Sequence, residues 1–181
     1  LENRSRKRIQ RASTKEKRIE MYFVNTDSSI EPYNPGGIVS WAFIVKDGKS
    51  LVHQEAGISV KGGELATNNI GEYHAVIAAM LWLIKLPEGK KQPVVIKSDS
   101  QLIVNQCSGT WNCNDEKLVP LHSMVVKARK RYGRSITFQW IPREKNSEAD
   151  ALSRTVYDED EVKYFKEHQI DILFDGDDLP F

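Results

Sequence analysis

Two cysteines, Cys107 and Cys113, are all the thiol chemistry in these 181 residues. With no matching His or Cys cluster around them, they exclude a structural zinc site. A disulfide between them is left open, but a domain of this length does not need one, and reduced thiols in a cytoplasmic protein are the expectation. Long hydrophobic runs are also missing. The longest, around Val76 to Leu86, has His74 and Lys85 at its borders and falls short of the roughly 20 apolar residues that span a membrane. No apolar segment follows the basic N-terminal stretch, so no secretory signal is expected. No internal repeat is visible.

The net charge of +1 conceals a division of sign along the chain. Arg4, Arg6, Lys7, Arg8, Arg11, Lys15, Lys17 and Arg18 make the beginning basic; Asp158, Glu159, Asp160, Glu161, Glu167, Asp171, Asp175, Asp177 and Asp178 make the end acidic. A basic arm can neutralise phosphates without reading sequence, and a solvated flexible tail has the same composition; both readings stand. The chain starts at Leu1 rather than Met, which leaves open whether the arm is a native start. The organisation expected is a basic arm over 1–20, one ordered domain over 21–157 and an acidic tail over 158–181. Hydrophobic content of 40% suffices for a core in such a domain.

Within the domain, Met21 to Asp27 alternates as a strand does. Ile38 to Lys46 is rich in β-branched and aromatic residues, Asp47-Gly48 marks a hairpin turn, and Ser50 to Val60 returns as a third strand. Thr67-Asn68 can cap a helix whose buried face is Tyr73, Val76, Ile77, Met80, Leu83 and Ile84. Pro93 to Ser98 reads as a fourth strand. Asp99-Ser100 caps a helix to about Cys107, a further helix covers Lys117 to Tyr132, Ile136 to Ile141 is the fifth strand, and Ser147 to about Tyr157 is helical. The fold class predicted is α/β: a five-stranded mixed sheet, three strands antiparallel and two parallel, flanked by helices.

Four acids stand where acids are awkward. Asp27 and Asp99 follow the apolar runs Tyr22-Phe23-Val24 and Val94-Val95-Ile96; Glu72 lies beside a buried helical face; Asp150 sits among Ala149, Ala151 and Leu152. If the first and fourth strands are parallel neighbours, Asp27 and Asp99 emerge at one C-terminal sheet edge, where α/β sheets place ligands. Clustered carboxylates need a counter-charge. Oxygen ligands without His or Cys favour Mg²⁺ or Mn²⁺ over zinc, and two such ions about 3.5–4 Å apart suit an in-line phosphoryl displacement. Any one of these acids alone reads equally as a surface charge, or, for Asp99, as a helix cap.

Four segments in order resemble the ribonuclease H type I family over about Met21 to Arg154. Asn25-Thr26-Asp27-Ser28-Ser29 with Asn34-Pro35-Gly36-Gly37 is similar to T-D-G-S…N-P-G-x-G-G. Ala66 to Glu72 is similar to T-N-N-x-A-E, Lys97 to Gln101 to T-D-S-Q, and Ile141 to Leu152 to the P-R-E-x-N-x-x-A-D-x-L ending of the compact branch. The resemblance implies the ribonuclease H fold and hydrolysis of the RNA strand of RNA–DNA hybrids, with 5′-phosphate and 3′-hydroxyl products. It implies Asp27, Glu72, Asp99 and Asp150 as catalytic, metal-binding carboxylates for two Mg²⁺ ions, with Mn²⁺ as a substitute. Substrate contacts carry over to Asn34, Thr67, Asn68, Asn69, Ser100, Gln101 and Arg143. Such contacts suit a hybrid read by shape and 2′-hydroxyls in a wide minor groove.

The departures are specific. Ser28 replaces a Gly, and Gly71 replaces an Ala. The loop before Asp150 is short and lacks the His of larger members, so Arg143, Glu144 or Lys145 is expected to stand in. The basic protrusion of some members is absent; the N-terminal arm, or Lys127, Arg129, Lys130 and Arg131, is the expected substitute, with a solvated helix face as the alternative. The ending Asp177-Asp178-Leu179-Pro180-Phe181 resembles the tip of bacterial single-stranded-DNA-binding proteins and implies docking on replication or repair proteins through the terminal Phe and carboxylate. No membrane partner is expected, and a monomer is. Two alternatives remain at this level: another two-metal nuclease of the same fold, such as a junction resolvase, and a non-catalytic hybrid-binding adaptor. A domain detached from a reverse transcriptase polyprotein is a third origin for the chain.

Overall fold

The computed structural model describes residues 20–168. The basic arm before Glu20 and the tip Asp177 to Phe181 lie outside the described residues. The elements run β1 (Tyr22–Glu31), β2 (Ile38–Asp47), β3 (Ser50–Lys61), α1 (Asn68–Lys85), β4 (Val94–Ser98), α2 (Gln101–Ser108), α3 (Val119–Tyr132), β5 (Ile136–Trp140), α4 (Ser147–Ser153) and α5 (Glu159–His168). The sheet order is β3-β2-β1-β4-β5. β1, β2 and β3 form an antiparallel meander, while β4 pairs in parallel with both β1 and β5. This is the mixed five-stranded sheet that the sequence predicts.

β2 is buried on both faces from Ile38 to Val45, as expected of a strand covered twice. On one side Val39, Trp41, Phe43 and Val45 join the core with Tyr73, Val76, Ile77, Met80 and Leu83 of α1. On the other, Ser40 Oγ bonds Ser29 Oγ at 2.8 Å, and Ser29 Oγ also meets the hydroxyls of Ser153 and Tyr157. The hairpin between β2 and β3 turns at Gly48, whose φ of 59° is the left-handed conformation such two-residue loops require.

β1 extends four residues past Asp27, because Ser28 to Glu31 pair with Trp41 to Ile38 of β2. The weak strand propensity of Ser28-Ser29 is overridden by pairing with a buried neighbour. The last predicted helix divides: α4 closes at Ser153 and residues 154–156 tighten into a 3-10 turn. The acidic stretch after Tyr157 begins as α5. Its Phe165 is buried, Glu161 pairs with Lys61 at 2.6 Å, and the Tyr33 hydroxyl donates to the Phe165 carbonyl at 3.5 Å. Among the described residues no helix is long and apolar enough to cross a membrane.

α1 lies close against β1 because Gly71 has no side chain. A Cβ there would stand 2.6 Å from Val39 Cγ1 and 2.8 Å from Ser28 Cβ, distances that real contacts do not reach. The two sequence departures therefore belong together: a residue larger than Gly at position 28 is matched by one smaller than Ala at position 71. Gly71→Ala is expected to destabilise the chain by about 1–3 kcal/mol, and Ser28→Gly in the same chain to recover part of the loss, the Val39 contact persisting. Urea denaturation of the three variants checks this; a harmless Gly71→Ala, or no recovery in the double variant, contradicts it.

Candidate active site

The parallel pairing of β1 with β4 stops at Asn25 and Lys97. Asp27 lies two residues beyond on β1, and Asp99 directly follows β4. α1 brings Glu72 over the same point from its second turn. One oxygen from each of Asp27, Glu72 and Asp99 lies within 4.8 Å of the other two. A cleft of roughly 270 Å³ opens on them, lined also by Asn68, Glu31, Arg143 and Arg154. The carboxylates sit at the C-terminal edge of the parallel strands, where the strand order predicted them.

Each is held by short-range contacts. The Ser28 N–H donates to Asp27 Oδ1 at 2.8 Å. Glu72 accepts from Asn68 Nδ2 and from Ser98 Oγ, each at 3.4 Å. Asp99 does not cap α2: the Ser100 hydroxyl accepts from the Ile103 N–H, which leaves the Asp99 carboxylate facing the cleft. Asn146 Nδ2 donates to Asp99 Oδ1 at 3.2 Å and to the Thr26 carbonyl at 3.0 Å, while its Oδ1 accepts from Asn25 Nδ2. Trp140 Nε1 donates to the Asp99 carbonyl at 3.0 Å. Asn146 is fully enclosed and ties β1, the end of β4 and the start of α4 together. Sequence reasoning quoted it only as part of a motif; a polar residue between a 3-10 turn and a helix gives no local sign of such a position.

The fourth acid is placed differently. Asp150 is near enough to raise the Asp27 pKa, but its carboxylate meets Arg143 at 3.4 Å and Arg154 at 3.3 Å and is not among the three converging groups. Of the other candidates, Thr67 caps α1 through its side chain, Asn68 is turned toward Glu72, and Asn34, Asn69, Gln101 and Arg143 are exposed. Lys127, Arg129, Lys130 and Arg131 are also exposed. They occupy the half of α3 that ends where Tyr132 bonds Gln92 and Arg134 meets Glu88, at the sheet edge opposite the carboxylates.

The strand order and connections are those of the ribonuclease H fold. LC11-RNase H1, isolated from compost and solved in complex with an RNA/DNA hybrid, superposes with a TM-score of 0.65 at 24% identity over 75% of this chain and 95% of its own. A family profile described as Reverse transcriptase-like matches residues 41–156, and the chain belongs to that family. Ribonuclease HI of Halobacterium salinarum is 34% identical over 134 residues, covering 70% of this chain and 59% of the relative. A bifunctional protein of Mycobacterium tuberculosis is 34% identical over 93 residues, covering 51% of this chain and 24% of the relative. The chain thus spans a quarter to somewhat over half of the length of these relatives.

Burial, then the neighbouring Asp99, pushes the Asp27 carboxyl up to about 7, against the pull of the Ser28 N–H. Burial, Asp27 and Asp99 raise Glu72 well above its ordinary value. The folded chain without metal therefore holds protons that the unfolded chain releases near pH 4. The associated stability is complete below the unfolded pKa and is lost as pH rises through the folded one. Buried His74, lowered to about 4 by desolvation, works the other way up to its unfolded value, so without metal the melting temperature is expected to fall between about pH 6.5 and about pH 8, and added Mn²⁺ to raise it more at the upper end, where the ion replaces the protons. Melting curves at both values check this; a Mn²⁺ effect that is larger in acid contradicts it.

Proposed function

We propose that this chain is a divalent-metal-dependent endonuclease that hydrolyses the RNA strand of RNA–DNA hybrids, leaving 5′-phosphate and 3′-hydroxyl ends. The observation that carries the reading is the convergence of Asp27, Glu72 and Asp99 on one point at the rim of the fold. Three carboxylates, two of them buried, are costly together without a cation, and an all-oxygen donor set fits Mg²⁺, with Mn²⁺ as a substitute. Two ions would supply an activated water and stabilisation of the leaving oxygen. Asp27, Glu72, Asp99 and Asp150 would hold them. Asn146 and Trp140 fix Asp99, and Asn68 and Ser98 fix Glu72, so the donors keep their spacing as substrate arrives. Asn34, Thr67, Asn68, Asn69, Ser100 and Gln101 are assigned to the hybrid, and the exposed Arg143, which lines the cleft, to a phosphate, in place of the His that the short loop lacks. LC11-RNase H1, bound to an RNA/DNA hybrid in its structure, supports the substrate class. Free Cys107 and Cys113 suit a reducing cytoplasm.

Cleavage of a strand-labelled hybrid tests the reading. The RNA strand alone is expected to be cut, only with Mg²⁺ or Mn²⁺, and Asp99→Asn is expected to lower the rate by about a hundred-fold or more. Double-stranded RNA, double-stranded DNA and a four-way junction serve as controls. Cutting of the junction in preference to the hybrid favours the resolvase reading, and binding without cutting favours the adaptor. The assignment of Asp177, Asp178, Leu179, Pro180 and Phe181 to replication or repair partners is tested separately. Deleting the last three residues should abolish capture of those partners while leaving hybrid cleavage intact; unchanged capture sinks it.

A further inference from the structure

Asp150 is engaged by a charged side chain that lines the cleft. Arg154 lies one helical turn after it, the spacing and order that favour an ion pair. Its guanidinium grips both carboxylate oxygens, Nε on Oδ2 at 3.4 Å and Nη2 on Oδ1 at 3.3 Å. The remaining nitrogen, Nη1, donates to Glu31 Oε1 at 3.2 Å. Glu31 closes β1 four residues beyond Asp27, about 13 Å along the strand. It holds one nitrogen of Arg154 while the other two hold Asp150, whose carboxylate is not among the three converging groups. Arg143 adds a single contact to the same Oδ1 and is itself 71% exposed, so it is the weaker partner.

We infer that Arg154, tethered by Glu31, is a positioning residue that keeps Asp150 out of the Asp27–Glu72–Asp99 cluster, so that a divalent cation gains its fourth carboxylate only by displacing the arginine. The inference rests on the metal-binding reading above. The device sets how readily the site fills: the cation competes with a guanidinium that Glu31 shares. Removing Arg154 releases Asp150 to the cluster.

The test is calorimetric titration of the full chain with Mn²⁺ alone and with Mg²⁺ alone, without nucleic acid. Arg154→Met is expected to tighten binding by about two- to five-fold, the range that partly exposed ion pairs allow. Melting curves show that each variant is folded. The deciding comparison is Arg154→Met in an Asp150→Asn background, where the tightening is expected to vanish. If it persists undiminished, Arg154 acts as a general positive charge near the cleft and the clamp is overturned. Equal constants for the wild type and Arg154→Met overturn it as well. A wild-type chain that binds neither ion overturns the metal reading and the clamp together, an outcome distinct from binding with equal constants.

Discussion

β1 and β4 pair in parallel for only four residues, from Tyr22 and Val94 to Asn25 and Lys97, and the layout of the cleft follows from where that pairing stops. Each strand arrives with an apolar run that fixes it in the core, Val24 on one and Ile96 on the other, both fully buried. Each then delivers an aspartate just past the last shared hydrogen bonds. The core thus does the positioning and the carboxylates bear the electrostatic cost. β2 continues beside β1 for its whole length, so Asp27 is carried by a strand supported on one side and free of β4 on the other. α1, seated on the same two strands through Gly71, brings Glu72 to the third corner.

Such an arrangement is unfavourable without a counter-ion, and the polar contacts around it reflect that. Donors come from the Ser28 N–H, Asn68, Ser98 and Asn146, neutral groups that orient the oxygens without cancelling their charge. Arginine appears only at the margin, on Asp150. A buried arginine among the three converging acids would satisfy them permanently; neutral donors leave the negative potential available to a cation. The distribution of charge therefore separates two tasks, spacing by amides and hydroxyls inside, and competition by guanidinium groups at the rim.

Much of this was legible in the sequence where local pattern and tertiary demand agree. Alternation along Met21 to Asp27, the caps at Thr67-Asn68 and Asp99-Ser100, and the helical spacing from Tyr73 to Ile84 each report a local preference, and the mixed sheet follows from their order. Asp27, Glu72 and Asp99 were found because an acid beside an apolar run is locally anomalous. The extension of β1 through Ser28 to Glu31 was not legible, since its cause is the buried β2 alongside. Nor was the engagement of Asp150: an acid and an arginine four apart read as an ordinary helical pair, and only the fold places Glu31 at the far end. Asn146 was hidden for the same reason, its three contacts reaching residues about 50 to 120 positions away.

The exchange at positions 28 and 71 limits the routes by which sequences of this kind can drift. Ser28 and Val39 both crowd the space at position 71, the valine more closely, so neither strand alone sets what fits there. Starting from Ser and Gly, enlarging position 71 first meets hard contact, whereas shrinking position 28 first only opens a gap. A lineage moving to Gly and Ala therefore passes through a loosened intermediate with glycine at both places, and it does so beside a buried carboxylate whose position depends on that helix. The two sites should change together with Val39, the strand residues leading.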